Sequence, residues 1–345
     1  MDRLSYLAAW LVNIVILIPH FCLALIPCFE NGTDGGTPIN GQWIPAPHLL
    51  SGDPSRAAQL VQCRVQGGGH RTCVDFTKPH KLGEIPTPTS GGEPQTFQPS
   101  TCALSVPDSA GLVDAVGPTR NIYFFGDSIL MQHRSVLRCY LNDFLNETNP
   151  GRTLRLSNGG RLTFYRVSTL KHLEKQLEGL AKSRHSPTQM MFDHDVCIFN
   201  VGVHYNSKED FQNEFLNYFE RQCLKASCLP CKIVWRESAH QHFPGPKGGL
   251  FIKPDPKCKG CVSVPEAEMA ANNWRNDMAN ALMGKYNIPI LRVWKMTALA
   301  HQMHPTLGGY SHSSCDCTHF CTFMGGVFDA WSLVLQSFLE SLPSV

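Results

Sequence analysis

From Asn121 onward, strand-like apolar runs alternate with stretches of helical spacing, and this alternation constrains the fold more than any other feature of the chain. Strands are expected at 121–125, 196–201, 232–236 and 288–294, and helices at 129–144, 208–224, 265–286 and 326–341. Strands separated by helices pair in parallel, so the expected class is α/β, a mainly parallel sheet covered by helices. Between Thr153 and Val167, alternating residues flank Asn158-Gly159-Gly160 and read as a β-hairpin. Phe211, Phe215 and Phe219, and likewise Trp274, Met278, Ala281 and Leu282, fall at helical spacing and are assigned to core-facing stripes.

Two short pieces supply the parts of a serine acyl-transfer site. Gly126-Asp127-Ser128 follows the first apolar run, and Asp316-Cys317-Thr318-His319 lies near the C-terminus. A serine hydroxyl needs a base, commonly histidine, and a carboxylate that fixes the imidazole tautomer. The three-residue step from Asp316 to His319 is about one turn, which lets the carboxylate accept from Nδ1 while Nε2 faces Ser128. Alone, a Gly-Asp-Ser is also a plain helix cap. Together the two pieces sit where an α/β fold places functional loops. A third run, 195–204, reads as a buried strand ending in Asn200-x-Gly202-x-His204, where the Asn200 amide and the Gly202 N–H join the Ser128 N–H as candidate oxyanion donors. The plainer alternatives are a hydrogen-bonded turn for Asn200 and a loop histidine for His204. A fourth run, 232–238, ends in Arg236 and Glu237, followed by His240, Gln241, His242 and Phe243. Arg236, Glu237, His204 and His242 are the candidate substrate contacts; a structural Arg236–Glu237 pairing is the alternative.

The order Gly-Asp-Ser, Asn-x-Gly-x-His, Trp-Arg-Glu with His-Phe, then Asp-Cys-x-His-x-Cys and Asp329-Ala330-Trp331 resembles the PC-esterase branch of the GDSL/SGNH superfamily. Within it the pattern is most similar to trichome birefringence-like polysaccharide O-acetyltransferases. Weaker echoes are Gly41-Gln42-Trp43-Ile44 and the Phe97 to Cys102 segment. Two departures stand out. Phe320 and Thr322 to Gly326 replace the family's Trp and Leu-Pro-Gly, and Met131-Gln132 replaces its Arg-Asn. The resemblance implies a three-layer α/β/α fold, Ser128, Asp316 and His319 as a triad, bridges from Cys317 or Cys321 that stiffen the histidine loop, and a 153–167 hairpin inserted near an acceptor groove.

Composition suits a secreted or lumenal enzyme. A net charge of +2 with no basic stripe gives nucleic-acid binding no support. From Leu4 to Pro27 the chain is almost wholly apolar, with Arg3 before it and Glu30 and Asp34 after, which fits an uncleaved anchor with a cytoplasmic N-terminus. A signal peptide cleaved after Ala24 is the alternative. Asn31 and Asn146 head glycosylation sequons. Of 15 cysteines, Cys22 lies in the apolar segment and Cys197 in a core strand; most of the others are expected in disulfides. Cys228, Cys231, Cys258 and Cys261 have zinc-site spacing, but behind a secretory signal disulfides are expected and no metal site is assigned.

The expected organisation is therefore an anchor or signal at 1–28, a cysteine-containing, loop-rich stem and subdomain at 29–118 with a flexible linker at 78–100, and a catalytic domain at 119–345. The expected protein is a single-pass type II membrane protein of the Golgi or secretory pathway, or else a secreted one. Its expected activity is O-acyl transfer, most simply of acetyl, to hydroxyls of a polysaccharide or glycan through an acyl-serine. It would bind no cofactor and take the acetyl donor as co-substrate. A carbohydrate acetylesterase with the same triad and a non-catalytic glycan-binding homologue are the alternatives.

Overall fold

The computed structural model describes residues 28–30, 33–34, 39–45, 95–100, 102, 108–146, 151–183, 191–225, 229–251, 258, 260–305, 315–322 and 326–344. Its strands are β1 (Phe29–Glu30), β2 (Thr33–Asp34), β3 (Gly41–Pro45), β4 (Gln95–Pro99), β5 (Asn121–Gly126), β6 (Thr153–Arg155), β7 (Arg161–Arg166), β8 (Val196–Asn200), β9 (Lys232–Arg236) and β10 (Ile290–Leu291). Its α-helices are α1 (Ser109–Val116), α2 (Ser128–Tyr140), α3 (Leu170–Ser183), α4 (Lys208–Glu214), α5 (Glu266–Ala271), α6 (Trp274–Lys285), α7 (Trp294–Ala298) and α8 (Val327–Glu340).

Six strands form one sheet in the order β10-β9-β8-β5-β7-β6, parallel throughout except for the edge pair β6–β7. Successive side chains of a strand point to opposite faces, and both faces here are covered. Ile122 and Phe124 pack with α1, α2 and α8, whereas Tyr123 and Phe125 pack with α3, α4 and α6. All four are buried, which is why β5 reads as an uninterrupted apolar run. The fold is α/β, with helices on both faces of the sheet.

The winding reverses at β5. From it the chain passes to β7 on one side, then returns to β8, β9 and β10 on the other. Helix α2, after β5, covers one face, and α4, after β8, covers the other. Connections leaving neighbouring strands to opposite layers open a crevice at the strands' carboxyl ends, the usual ligand position in such sheets.

Several elements differ from expectation for local reasons. The 208–224 helix widens from Phe215 to Leu224 into a π-helix, which keeps Phe211, Phe215 and Phe219 all buried and in ring contact. The 265–286 helix is two, broken at Asn272 and Asn273. On α6 the buried face includes Arg275, Asn276, Ala279, Leu282 and Met283, whereas Ala281 is exposed, so the predicted stripe is rotated toward two polar residues. The 288–294 strand shortens to Ile290–Leu291, and the 129–144 helix ends at Tyr140, followed by a 3₁₀ turn.

The N-terminal part is less separate than expected. Gln95–Pro99, within the predicted linker, pairs antiparallel with β3. The Trp43 indole donates to the Met296 carbonyl (3.0 Å), and Phe29, Ile39, Phe97 and the buried side of α1 share the core of α2 and α8. The 153–167 hairpin forms, but β7 is a sheet strand and not an insertion. Its turn packs at the amino end of the sheet, where Asn158 donates to the Val113 carbonyl, and so lies away from the crevice. The expected anchor, apart from Cys28, lies outside the described residues, and among the described residues no helix is long and apolar enough to cross a membrane.

Phe199 stacks on Phe125 (5.0 Å) and meets Phe219 edge-on (5.3 Å) with no solvent exposure. Phe199→Ala should cost about 3–5 kcal/mol through lost burial and a residual cavity. Urea denaturation should show the lower midpoint with an unchanged slope.

Candidate active site

Ser128 is the first residue of α2, directly beyond β5. Asp127 precedes it in extended conformation and caps the helix, its Oδ1 accepting from the Ile129 N–H at 2.9 Å. The first N–H groups of a helix have no acceptor within it and carry the positive end of its dipole, so the Ser128 N–H is positioned for an anion. Gly126 is required by the tight entry: a Cβ there would lie 2.8 Å from Leu130 Cδ2 and 3.2 Å from the Asn200 carbonyl.

His319 arrives from the other end of the chain. Ser128 Oγ is 2.6 Å from His319 Nε2, and His319 Nδ1 is 2.9 and 2.8 Å from the two Asp316 oxygens. An ionised carboxylate only accepts, so Nδ1 carries the proton and Nε2 is left to accept from the serine hydroxyl. Asp316 also accepts from the backbone N–H groups of Thr318 (3.3 Å) and His319 (3.1 Å), which folds Asp-Cys-Thr-His into one turn. The predicted spacing argument is met by this turn. The His319 and Asp316 side chains keep 13% and 12% of their surface, enough for a reactant to approach.

The histidine loop is fastened from every side. Cys317 is bonded to Cys261 and Cys315 to Cys258, and Cys321 is also disulfide-bonded. Gln132, one turn beyond Ser128 on α2, donates from Nε2 to the Phe320 carbonyl (2.7 Å) and accepts from the Phe320 N–H (3.4 Å). Gln241 Nε2 donates to Thr318 Oγ1 at 2.8 Å. Nucleophile and base therefore share one rigid frame.

The cysteines of the zinc-like spacing are divided among separate disulfides. Cys231 pairs with Cys197, which sits in β8 and was expected to be a free core thiol, while Cys258 and Cys261 pair with Cys315 and Cys317; Cys228 lies outside the described residues. Cys28 pairs with Cys102, and every cysteine among the described residues is disulfide-bonded.

At the end of β8, Gly126 and Asn200 are register partners, so Ser128 and Gly202 both leave the sheet two residues later. A Cβ on Gly202 would fall 1.9 Å from Ser238 Oγ, so only glycine fits. Asn200 does not present its amide to the crevice. Nδ2 donates to the Arg236 and Glu237 carbonyls (both 3.1 Å), and Oδ1 accepts from Arg236 Nη2 at 2.8 Å. It joins β8 to β9, as the turn-residue alternative anticipated. His204 is exposed at the rim; partial desolvation lowers its pKa, Asp127 raises it, and His319, Arg166 and Arg275 lower it.

The residues after β9 divide. Arg236 is buried with its guanidinium 4.3 Å above the Trp331 ring; burial brings its pKa down to about 10 against the pull of Asp127. Glu237 points away from Arg236, accepting from Asn280 Nδ2 (2.8 Å) and the Trp294 N–H (2.9 Å) beside Arg292. His242 has no exposed surface and lies beneath the histidine loop, where its backbone N–H donates to the Cys317 carbonyl. A substrate does not reach it there.

Sequence reasoning missed three supports. Gln132 was legible as an i+4 neighbour of Ser128. Arg275 donates to the Tyr205 carbonyl from Nε (3.0 Å) and Nη2 (2.5 Å), bracing the turn after Gly202; as a charged residue beside the predicted apolar stripe it read as solvated. His304 accompanies His301 one turn away, a spacing with no chemistry attached until the fold is known. Of the glycosylation sequons, Asn31 lies outside the described residues. Asn146 is exposed and donates from Nδ2 to the Leu156 carbonyl.

Gln132→Ala removes both ties to Phe320, together worth about 1–3 kcal/mol of loop placement. It should slow covalent labelling of Ser128 by a fluorophosphonate roughly tenfold and, because the Phe320 N–H and carbonyl are left buried without a partner, lower the unfolding midpoint modestly. Intact-mass kinetics would check this, and wild-type labelling would leave Gln132 without a positioning role. No protein-family model and no curated protein matches the chain, so the chemistry rests on this geometry.

Proposed function

We propose that the protein is a serine-dependent O-acyltransferase that moves an acyl group, most simply acetyl, to a hydroxyl of a glycan. The observation that carries the reading is the continuous Ser128–His319–Asp316 relay, at 2.6 and 2.8 Å, in the crevice where the sheet's winding reverses. Ser128 Oγ attacks the acyl carbon as its proton passes to His319 Nε2. The oxygen of the tetrahedral adduct takes the Ser128 and Gly202 N–H groups as donors, and Arg236 contributes positive potential from below. His319 returns the proton to the leaving group, giving acyl-Ser128. An acceptor hydroxyl then loses its proton to His319 and attacks the acyl carbon, and the proton ends on Ser128 Oγ as the ester leaves. Asp316 steadies the imidazolium in both halves.

Two observations support a glycan acceptor beside the motif resemblance to PC-esterase-type polysaccharide O-acetyltransferases. A cavity of about 390 Å³ opens beyond β9 and β10 and is lined by Trp294, Asn273, Asn280, Asp277, Glu237 and Arg292. Such a mixture of one aromatic ring with amides, carboxylates and cations suits a sugar's apolar face and hydroxyl rim, and since none of Ser128, Asp316 and His319 lines the cavity it is read as a glycan subsite apart from the reacting atoms. The complete disulfide bonding of the described cysteines fits maturation in an oxidising compartment, as a secretory-pathway or Golgi protein held by residues 1–28 would experience. Partial exposure of the triad favours a second reading, an acetylesterase in which water takes the acceptor's place.

Incubation of the protein with an acetyl donor and a panel of oligosaccharides separates the two. Acetyl-Ser128 should form, persist without acceptor and decay faster with it, yielding an acetylated sugar by mass spectrometry. Ser128→Ala should abolish acetyl transfer and hydrolysis alike with the fold intact. Breakdown to free acetate at one rate with every glycan establishes the esterase; undiminished turnover in Ser128→Ala ends the serine mechanism.

A further inference from the structure

Behind the catalytic loop, two buried histidines form a chain that two neutral rings cannot complete. His304 Nδ1 is 2.6 Å from the carbonyl oxygen of His319, and His304 Nε2 is 2.7 Å from His242 Nδ1. His242 Nε2 is 3.0 Å from the Ala298 carbonyl. The residues are 2% and 0% exposed. A carbonyl oxygen only accepts, so His304 Nδ1 and His242 Nε2 must each carry a hydrogen. The contact between the rings requires a third. Two neutral imidazoles carry one N–H each, so three contacts leave the pair one proton in excess and one positive charge.

We propose that His242 and His304 take up one proton between them, and that the resulting charged pair positions His319 by holding its backbone carbonyl. His304 is thus a positioning residue for the base and does not touch the reacting atoms. Its ring stacks on Phe320 at 4.3 Å, an arrangement that favours a cation. The groups facing the pair come from four elements. His240 lies on the same segment as His242, with Arg275 beyond it; His301 comes from the 3₁₀ turn before His304; and His319 and Asp316 come from the catalytic loop. Of these, Asp316 alone is negative and favours a charge on His304, whereas His242 and His319 oppose it.

Burial dominates and pushes both rings below the ordinary imidazole range, His242 to about 4. The proton therefore binds as pH falls below the usual value and leaves as pH rises. On its departure the contact between the rings loses its hydrogen while neutral His304 keeps its Nδ1–H on the His319 carbonyl; protonation makes that donor cationic and the bond charge-assisted, so the fastening of His319 strengthens on acidification. The proton count is independent of the acyl-transfer reading; only its catalytic consequence rests on it.

The test uses Ser128→Ala protein with 15N-labelled histidine, which carries no acyl chemistry, and follows ring nitrogens by NMR from pH 8 to about 3, past the value to which burial lowers His242. The His242 and His304 signals should move together in a single one-proton step below the ordinary value of about 6.5. Across that step the protection factor of the Phe320 amide should rise about fivefold. In His242→Gln the new amide donates to His304 Nε2, so His304 completes its bonds while neutral and the step should vanish. Two rings that stay neutral throughout, two independent steps, or a step that survives in His242→Gln would each overturn the proposal. The wild-type pair of His242 and His304 in the Ser128→Ala background gives this answer even if His242→Gln fails to fold.

Discussion

The parallel pairing of β5 with β8 is the contact on which the rest of the structure depends. It sets Gly126 opposite Asn200, and because α2 and α4 leave to opposite faces it holds open the crevice between them. Had these strands been joined by a hairpin, the connecting turn would have closed the crevice. Ser128 owes its place to this geometry, its backbone to the Asp127 cap, and its entry angle to a glycine with no room for a side chain.

Beneath that crevice lies an unusual amount of buried polarity. Asp127, Arg236, Arg275, Asn200, Glu237 and His242 are all buried; Asn200, Arg275, Glu237 and His242 each bond a backbone carbonyl or N–H of a neighbouring segment, whereas Asp127 Oδ2 and Arg236 Nε and Nη1 have no hydrogen-bond partner among the described residues. An apolar core does not fix the orientation of a loop; a set of directed bonds does, at the cost of desolvation. The arrangement trades stability for the angular placement of the Gly202 turn and the histidine loop. The disulfides act on the same loop by a different route, restricting the unfolded chain more than they direct the folded one.

Much of this was legible in the sequence, and what was not has identifiable causes. The central strands were plain because Ile122 to Phe125 and Val196 to Phe199 are apolar on both faces, and the partnership of Ser128, Asp316 and His319 followed from what a serine nucleophile requires. The roles of Asn200 and Glu237 were misassigned because spacing places a residue at the end of a strand without saying which way its side chain turns. Cys197 was hidden by its strand: its partner, Cys231, lies just outside the neighbouring strand, a proximity that only sheet register creates. The hairpin was correct as a local motif, but its second strand gained a long-range parallel partner in β5 that no local pattern encodes. Gln132 and Arg275 were passed over because polar residues on a helix read as solvated until the packing is known.

The nucleophile and its base are 191 residues apart. Everything up to β10 can be in place, with Ser128 already at its helix end, before the segment bearing Asp316 and His319 has been synthesised. That segment then has to be threaded against α2 and bonded to Cys258 and Cys261, partners made well before it. Two parts of the chain made far apart in time must therefore meet before the proposed relay exists, and Cys258 and Cys261 cannot take their partners until the later part emerges.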